Sequence, residues 1–178
     1  MRERRSGGPG AGPGTVAALT TPVNWSAAWR RRSRSVRETQ RLAAAIAGLL
    51  RPGMVLAMVG DMGAGKTHFV QGLAVALGVD TAREPVTSPT YSLLHSYTGG
   101  AGLQLVHLDL YRLEDAAGAQ ALGLAEALLQ PASIAVVEWA DRLPSLLPTG
   151  TIWLRLSVTG TRSRRLECLG LPPLPAQA

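Results

Sequence analysis

Gly60-Asp61-Met62-Gly63-Ala64-Gly65-Lys66-Thr67 carries the sharpest chemical signal in the chain, since it satisfies G-x-x-x-x-G-K-[ST] at every constrained position. Each residue type has a task around a polyphosphate. The glycines let backbone N–H groups turn inward at the positive end of a following helix. Lys66 supplies a compact cation for β and γ phosphates, and Thr67 offers a hydroxyl to Mg²⁺. The expected phosphate cradle is Gly63, Ala64, Gly65, Lys66, Thr67 and His68. A loop of this kind also needs a carboxylate near the metal and a group that orients the attacking nucleophile. Asp109 and Glu138 each close an apolar run. Either could be the Walker B acid, and spacing does not separate them. Asp109 could equally cap the polar segment Tyr111–Asp115, and Trp139, beside Glu138, could be core packing. Between these features, Thr87, Ser88, Pro89, Thr90 and Tyr91 form a short hydroxyl-rich segment. Its place after the first phosphate-loop helix suits a switch that senses a γ-phosphate, although an ordinary Ser/Thr turn has the same composition.

These residues require a particular scaffold. Met54–Val59 is a continuous apolar run directly before the glycine loop, as expected of a strand buried on both faces of a parallel sheet. After the loop, Phe69, Val70, Leu73, Ala74 and Leu77 repeat at helical spacing, and Gly78 is a natural stop. Upstream, Ser35-Val36-Arg37-Glu38 has capping-box form and Leu42, Ile46, Leu49 and Leu50 continue the helical period until Arg51-Pro52-Gly53. Leu103–Leu108 and Ile134–Val137 read as further strands whose carboxyl ends open into the same crevice as the glycine loop. Thr151–Val158 and Arg164–Leu169 read as an antiparallel pair. The expected architecture is a three-layer α/β P-loop NTPase fold with a mainly parallel central sheet over residues 25–170. It is flanked by a disordered Gly/Pro-rich extension over 1–24 and a disordered Pro-rich tail over 171–178.

Composition narrows the class. The chain has 178 residues, 18 Lys+Arg, 12 Asp+Glu and one cysteine. Its longest nearly apolar stretch, Leu42–Leu50, falls far short of the roughly 18 residues of a membrane span. With a lone Cys168 and no secretory signal, a cytoplasmic protein with no membrane partner is expected. The net charge of +6 is unevenly placed: residues 1–41 hold nine arginines and two glutamates, and the remainder is nearly neutral. Arg30-Arg31-Arg32-Ser33-Arg34, beside Trp25 and Trp29, could contact nucleic-acid phosphates or be a solvated edge strand. Lys66 is the only lysine, which fits a general preference for arginine. Arg162, Arg164 and Arg165 could face phosphates or solvent. His95 and His107 read as strand residues, with no partners at zinc-ligand spacing.

Taken in order, GDMGAGKTHFVQGLAVALG, VTSPTYSLLHSY, LVHLDLYRLED, ALGLAEAL and IAVVEWADRLPSLLP resemble the bacterial TsaE (YjeE) family over about residues 35–168. That family is the ATPase component of tRNA N6-threonylcarbamoyladenosine synthesis. The resemblance implies that Gly63–Thr67 bind ATP phosphates and that Thr67 and Glu138 hold Mg²⁺. It further implies that Asp109 is an acid needed for hydrolysis alongside Lys66, that Thr87–Tyr91 are switch-like, and that Trp139 lies near the nucleotide. The base would sit between Ser35 and Val36 and a turn at Gly160-Thr161-Arg162. Implied partners are TsaD and TsaB type proteins, with tRNA reached through that complex and the free chain a monomer. His68 departs from the threonine common after GKT in that family. A small-molecule P-loop kinase and a nucleotide-dependent scaffold without hydrolysis are the competing classes.

Overall fold

In the computed structural model, residues 23–175 are described. The expectation of disorder over residues 1–24 therefore falls almost wholly outside the described residues.

The capping signal at Ser35 starts a helix where the sequence places it. α1 spans Val36–Ala47, and Ser35 Oγ accepts the Glu38 N–H at 3.1 Å. The reciprocal half of the box is shifted by one residue, because the Glu38 carboxylate accepts the N–H of Arg34 rather than that of Ser35. Before it, β1 (Trp29–Ser33) is a short edge strand. β2 (Val55–Val59) is buried at every residue and leads through the glycine loop into α2 (Lys66–Ala76). β3 (Leu94–Thr98) and β4 (Gln104–Asp109) follow, then the short helices α3 (Ala116–Ala121) and α4 (Leu124–Leu128), β5 (Ser133–Glu138), β6 (Ile152–Val158) and β7 (Arg164–Leu169).

The strands form one seven-stranded sheet in the order β1-β7-β6-β2-β5-β4-β3. Here the structure corrects the expectation of a mainly parallel sheet. The central pairings β6–β2, β2–β5 and β5–β4 are parallel, whereas β1–β7, β7–β6 and β4–β3 are antiparallel, so the sheet is mixed. For β4–β3 and β7–β6 the cause is connection length: the links between β3 and β4 and between β6 and β7 are short hairpins, too short for the crossover that parallel neighbours need.

Alternation along β2 divides the core. Leu56 and Met58 join Phe69, Leu73 and Ile46 under α1 and α2, while Val55, Ala57 and Val59 join Leu108, Leu124 and Leu128 on the opposite face. The result is three layers, helix–sheet–helix. The two helices of the first layer pack unusually close at Gly72, where an added Cβ would stand 2.6 Å from Gln40 Cα and 2.7 Å from its carbonyl oxygen. Glycine inside a helix costs roughly 1 kcal/mol against alanine, and this contact is what it permits.

The tail expected to be disordered from residue 171 instead folds back, as far as residue 175, over β1. Leu174 is buried, its carbonyl accepts from the Arg31 guanidinium, and the Leu171 carbonyl accepts the Trp29 indole N–H at 3.1 Å. The buried Leu174 side chain and these two side-chain-to-backbone bonds hold the segment, whose prolines have less backbone freedom to lose. Among the described residues, no helix is long and apolar enough to cross a membrane.

Candidate nucleotide-binding site

The loop between β2 and α2 is shaped by glycines in conformations that other residues avoid. Gly60, Gly63 and Gly65 have φ of 142°, 76° and 99°, and a Cβ on Gly60 would lie 2.2 Å from the Leu156 carbonyl oxygen. Gly65 caps α2 without any side-chain hydrogen bond, so the helix opens with its first N–H groups directed at whatever occupies the loop. Arg164, at the start of β7, braces the loop from outside: its guanidinium donates to the carbonyls of Ala64 at 3.1 Å and Gly63 at 3.0 Å.

Lys66 is folded back on this loop. Its Nζ donates to the Gly60 carbonyl at 2.6 Å and the Asp61 carbonyl at 3.1 Å, and lies 3.8 Å from the Trp139 ring centroid. Burial pulls its pKa below the ordinary lysine value, against the opposing fields of Glu138, Asp109, Asp141 and Asp61. Trp139 reaches it from a left-handed backbone, φ 56° and ψ 37°, a conformation that costs a bulky residue of order 1–2 kcal/mol. Its ring also packs on Tyr111 at 5.0 Å between centroids.

The two strand-end carboxylates stand side by side, since Asp109 and Glu138 are register partners on β4 and β5. Their surroundings differ, which is what spacing alone left open. Glu138 Oε1 faces the Thr67 hydroxyl at 3.3 Å and accepts from His107 Nε2 at 3.0 Å. Asp109 faces the hydroxyl-rich segment: its Oδ2 accepts from Ser88 at 2.5 Å and Thr90 at 2.7 Å, and its Oδ1 accepts the Tyr111 N–H at 2.9 Å. No helix starts at Tyr111, and the cap of α3 is Asp115, so Asp109 ties down only the first N–H of the polar segment and also links to the segment after α2.

These groups converge on a cavity of about 720 Å³, within the usual range for small-molecule sites. Gly63, Gly65, Lys66, Thr67 and His68 form its floor, and Val36 and Thr161 lie on its walls with Ser35 and Arg162. Ser88, Thr90, Asp109, Glu138 and Trp139 also line it. Not every expected residue does. Ala64 is buried beneath the loop. Thr87 turns to the Tyr97 hydroxyl, where burial raises the tyrosine pKa and Thr87 hydrogen bonds oppose that rise. Tyr91 points outward at 85% exposure under the Arg112 guanidinium, and Pro89 is buried behind the segment. Of the three C-terminal arginines, Arg162 and Arg164 border the cavity, whereas strand alternation turns Arg165 to the other face of the sheet.

The sequence reading missed the part played by His107. It is wholly buried, on the same side of β4 as Asp109 two residues later. A carboxylate only accepts, so His107 Nε2–H donates to Glu138 and fixes that side chain toward Thr67. Its Nδ1 has no hydrogen-bond partner among the described residues. The available signal was a histidine at i−2 from a strand-end acid, in a run otherwise apolar.

Comparison with known proteins decides the relationship. Residues 33–166 match the family model described as "Threonylcarbamoyl adenosine biosynthesis protein TsaE". The chain belongs to the TsaE family. It is 37% identical over 134 residues to the tRNA threonylcarbamoyladenosine biosynthesis protein TsaE of Treponema pallidum, covering 75% of this chain and 95% of that protein. The TsaE of Bacillus subtilis is 36% identical over 129 residues, 72% of this chain and 77% of the relative. Among solved structures, Bacillus subtilis YdiB superimposes with a TM-score of 0.63 at 29% identity, over 79% of this chain and 84% of the other. Membership gives this chain a role in tRNA threonylcarbamoyladenosine biosynthesis.

Proposed function

We propose that this protein is a slow, partner-dependent ATPase that binds ATP with Mg²⁺ and works in the cytoplasm on a TsaD–TsaB type transferase complex. The observation that carries the reading is the convergence of Thr67 Oγ1 and Glu138 Oε1, 3.3 Å apart, beneath a glycine loop that opens α2. Two hard oxygen donors beside a phosphate cradle suit a magnesium ion, which takes few protein ligands and shares phosphate oxygens. When bound, the metal would neutralise charge on the β and γ phosphates.

The chain's own residues supply the rest. The N–H groups of the loop and of the first turn of α2 bind phosphate oxygens, with His68 contributing its backbone N–H. Lys66 exchanges its bonds to the Gly60 and Asp61 carbonyls for phosphate oxygens, a trade that its cation favours. His107 holds Glu138 in place. Asp109, the proposed catalytic acid, is held by Ser88 and Thr90, so the segment sensing the γ-phosphate and the group orienting water form one hydrogen-bonded unit. Val36 and Thr161 border the space for the base. The free chain acts as a monomer, and the chemistry on tRNA lies with the partner complex.

Lys66→Ala tests the reading. No other lysine exists in the chain to replace the contact, so nucleotide titration should show most ATP affinity lost. Unchanged affinity removes the assignment. Single-turnover hydrolysis with and without the partners separates an ATPase from a scaffold that only binds.

A further inference from the structure

The antiparallel wing β1–β7–β6 carries a second polar surface that the ATPase reading does not use. Register places Arg30 opposite Glu167 and Arg32 opposite Arg165, with Arg155 and Ser157 next to the same two β7 residues on β6. A period of two puts all of them on one face, while Leu154, Leu156, Leu166 and Cys168 pack beneath α1 on the other. Glu167 is the face's carboxylate, and it is already engaged by Arg30 at 2.8 Å and Arg155 at 2.7 Å. Its burial favours the neutral acid, but the two guanidinium groups outweigh that and hold its pKa below the ordinary value.

Arg32 and Arg165 are left over. They are exposed and directly opposed on neighbouring strands, an arrangement of like charges that weakens a sheet. Among the described residues no carboxylate stands within ion-pair distance of either. Around them lies an open cavity of about 470 Å³ lined by Arg30, Arg31, Arg32, Thr159 and Arg165, with no acid in its wall. Arginine preference in the composition explains why these residues are not lysine. It does not explain why Arg30, Arg32, Arg155 and Arg165 gather on one face, which Arg31, opposite Leu166, does not share. At the margin, the Arg155 guanidinium stacks 4.5 Å over the half-buried ring of Trp25.

We propose that this face binds the phosphate backbone of tRNA directly, with Arg32 and Arg165 as phosphate contacts. Planar guanidinium forks match phosphate oxygens better than any other side chain, and an open strip of arginines suits a polyanion rather than a single ion. The family's role in tRNA modification supplies the occupant, and the inference rests on that membership rather than on ATP hydrolysis. The site adjoins the nucleotide cavity through one hairpin: Thr159 lines the arginine cavity, and Thr161 and Arg162 line the other.

The full chain should be titrated with an unmodified tRNA transcript between 50 and 200 mM salt, beside an Arg32→Gln/Arg165→Gln double variant. Loss of two phosphate contacts should lower the salt slope by about 2, so the variant's affinity falls about tenfold less across that range. Arg32→Lys/Arg165→Lys should keep most of the slope, and ATP affinity should be equal in all three proteins. Independently of any variant's folding, tRNA should shield Arg32 and Arg165 of the unaltered protein from phenylglyoxal, read by peptide mass. An unaltered slope in the Gln variant, equal phenylglyoxal reaction with and without tRNA, or shielding of Arg32 and Arg165 by poly-glutamate but not by tRNA would each overturn the proposal. The last outcome would make the face a dock for an acidic protein segment. ATP titration, run in parallel, fails only if the nucleotide reading fails.

Discussion

Asp109→Asn separates the capping and catalytic roles of the residue that joins β4 to the hydroxyl-rich segment. The amide keeps the side chain's size and can still accept the Tyr111 N–H, while its NH₂ group donates to Ser88 and Thr90, whose hydroxyls rotate to accept. Packing and bond count survive, but two charge-assisted bonds of 2.5 and 2.7 Å become neutral ones. That difference is about 1 kcal/mol per bond, about 2 kcal/mol for the pair, and it falls on the opening of residues 86–93. Amide exchange across that segment should rise by about thirtyfold, using roughly 1.4 kcal/mol per tenfold. Since Asn also relieves the cost of burying a carboxylate, the cleaner measurement is a double-mutant cycle with Ser88→Ala in urea denaturation. It should give a coupling of about 1 kcal/mol. ATP affinity should persist while turnover drops by the roughly 10² to 10⁴-fold typical of a lost general acid or base. Zero coupling with unchanged exchange would show that the hydroxyls do not hold Asp109. Full turnover would reduce it to a cap for Tyr111.

Glu138→Ala should weaken ATP binding in Mg²⁺ more than in chelator, because its carboxylate completes the ion's oxygen shell; equal losses in the two titrations would exclude it as a ligand. The Cys168 thiol, pushed up to about 12 by burial, should resist thiol reagents at pH 8 in the folded protein and react on denaturation, which a timed absorbance assay reads. Glu167 has a folded pKa below its unfolded one, so its stabilisation is present above the ordinary carboxylate range and is lost as pH falls through the folded value. Acid denaturation of Glu167→Gln should accordingly show a shallower decline below about pH 4.5 than the unaltered protein.

The candidate site was more legible in the sequence than the sheet around it. The glycine loop announced itself because its chemistry needs consecutive residues of restricted type, and Ser35 announced α1 because a cap is local. Strand direction is not local. Nothing in the run Leu94–Thr98 states that it will pair antiparallel with β4; the tight turn at Gly99–Gly102 does, and only once both strands are known. Asp109 and Glu138 looked equivalent because each ends an apolar run, and what tells them apart is which hydroxyl lies across the cleft. For Glu138 that is Thr67, 71 residues away. His107 was read as a strand residue, which it is, and its bond to Glu138 depends on a register no single strand encodes. Leu174 was hidden by its neighbours, since a proline-rich composition masks one well-placed leucine.

The close contact at Gly72 gives the cavity a dimension set away from its own lining. Gln40 lies about one turn along α1 from Val36, and Gly72 fewer than two turns along α2 from Lys66. The spacing of the two helix beginnings, both of which line the cavity, is therefore inherited from a place where a side chain is missing. A methyl group there would wedge the helices apart and widen the mouth without touching a single lining residue. On the proposed reading, discrimination between nucleotides would have one of its determinants in an absent atom, at a position that a search confined to the cavity wall would pass over.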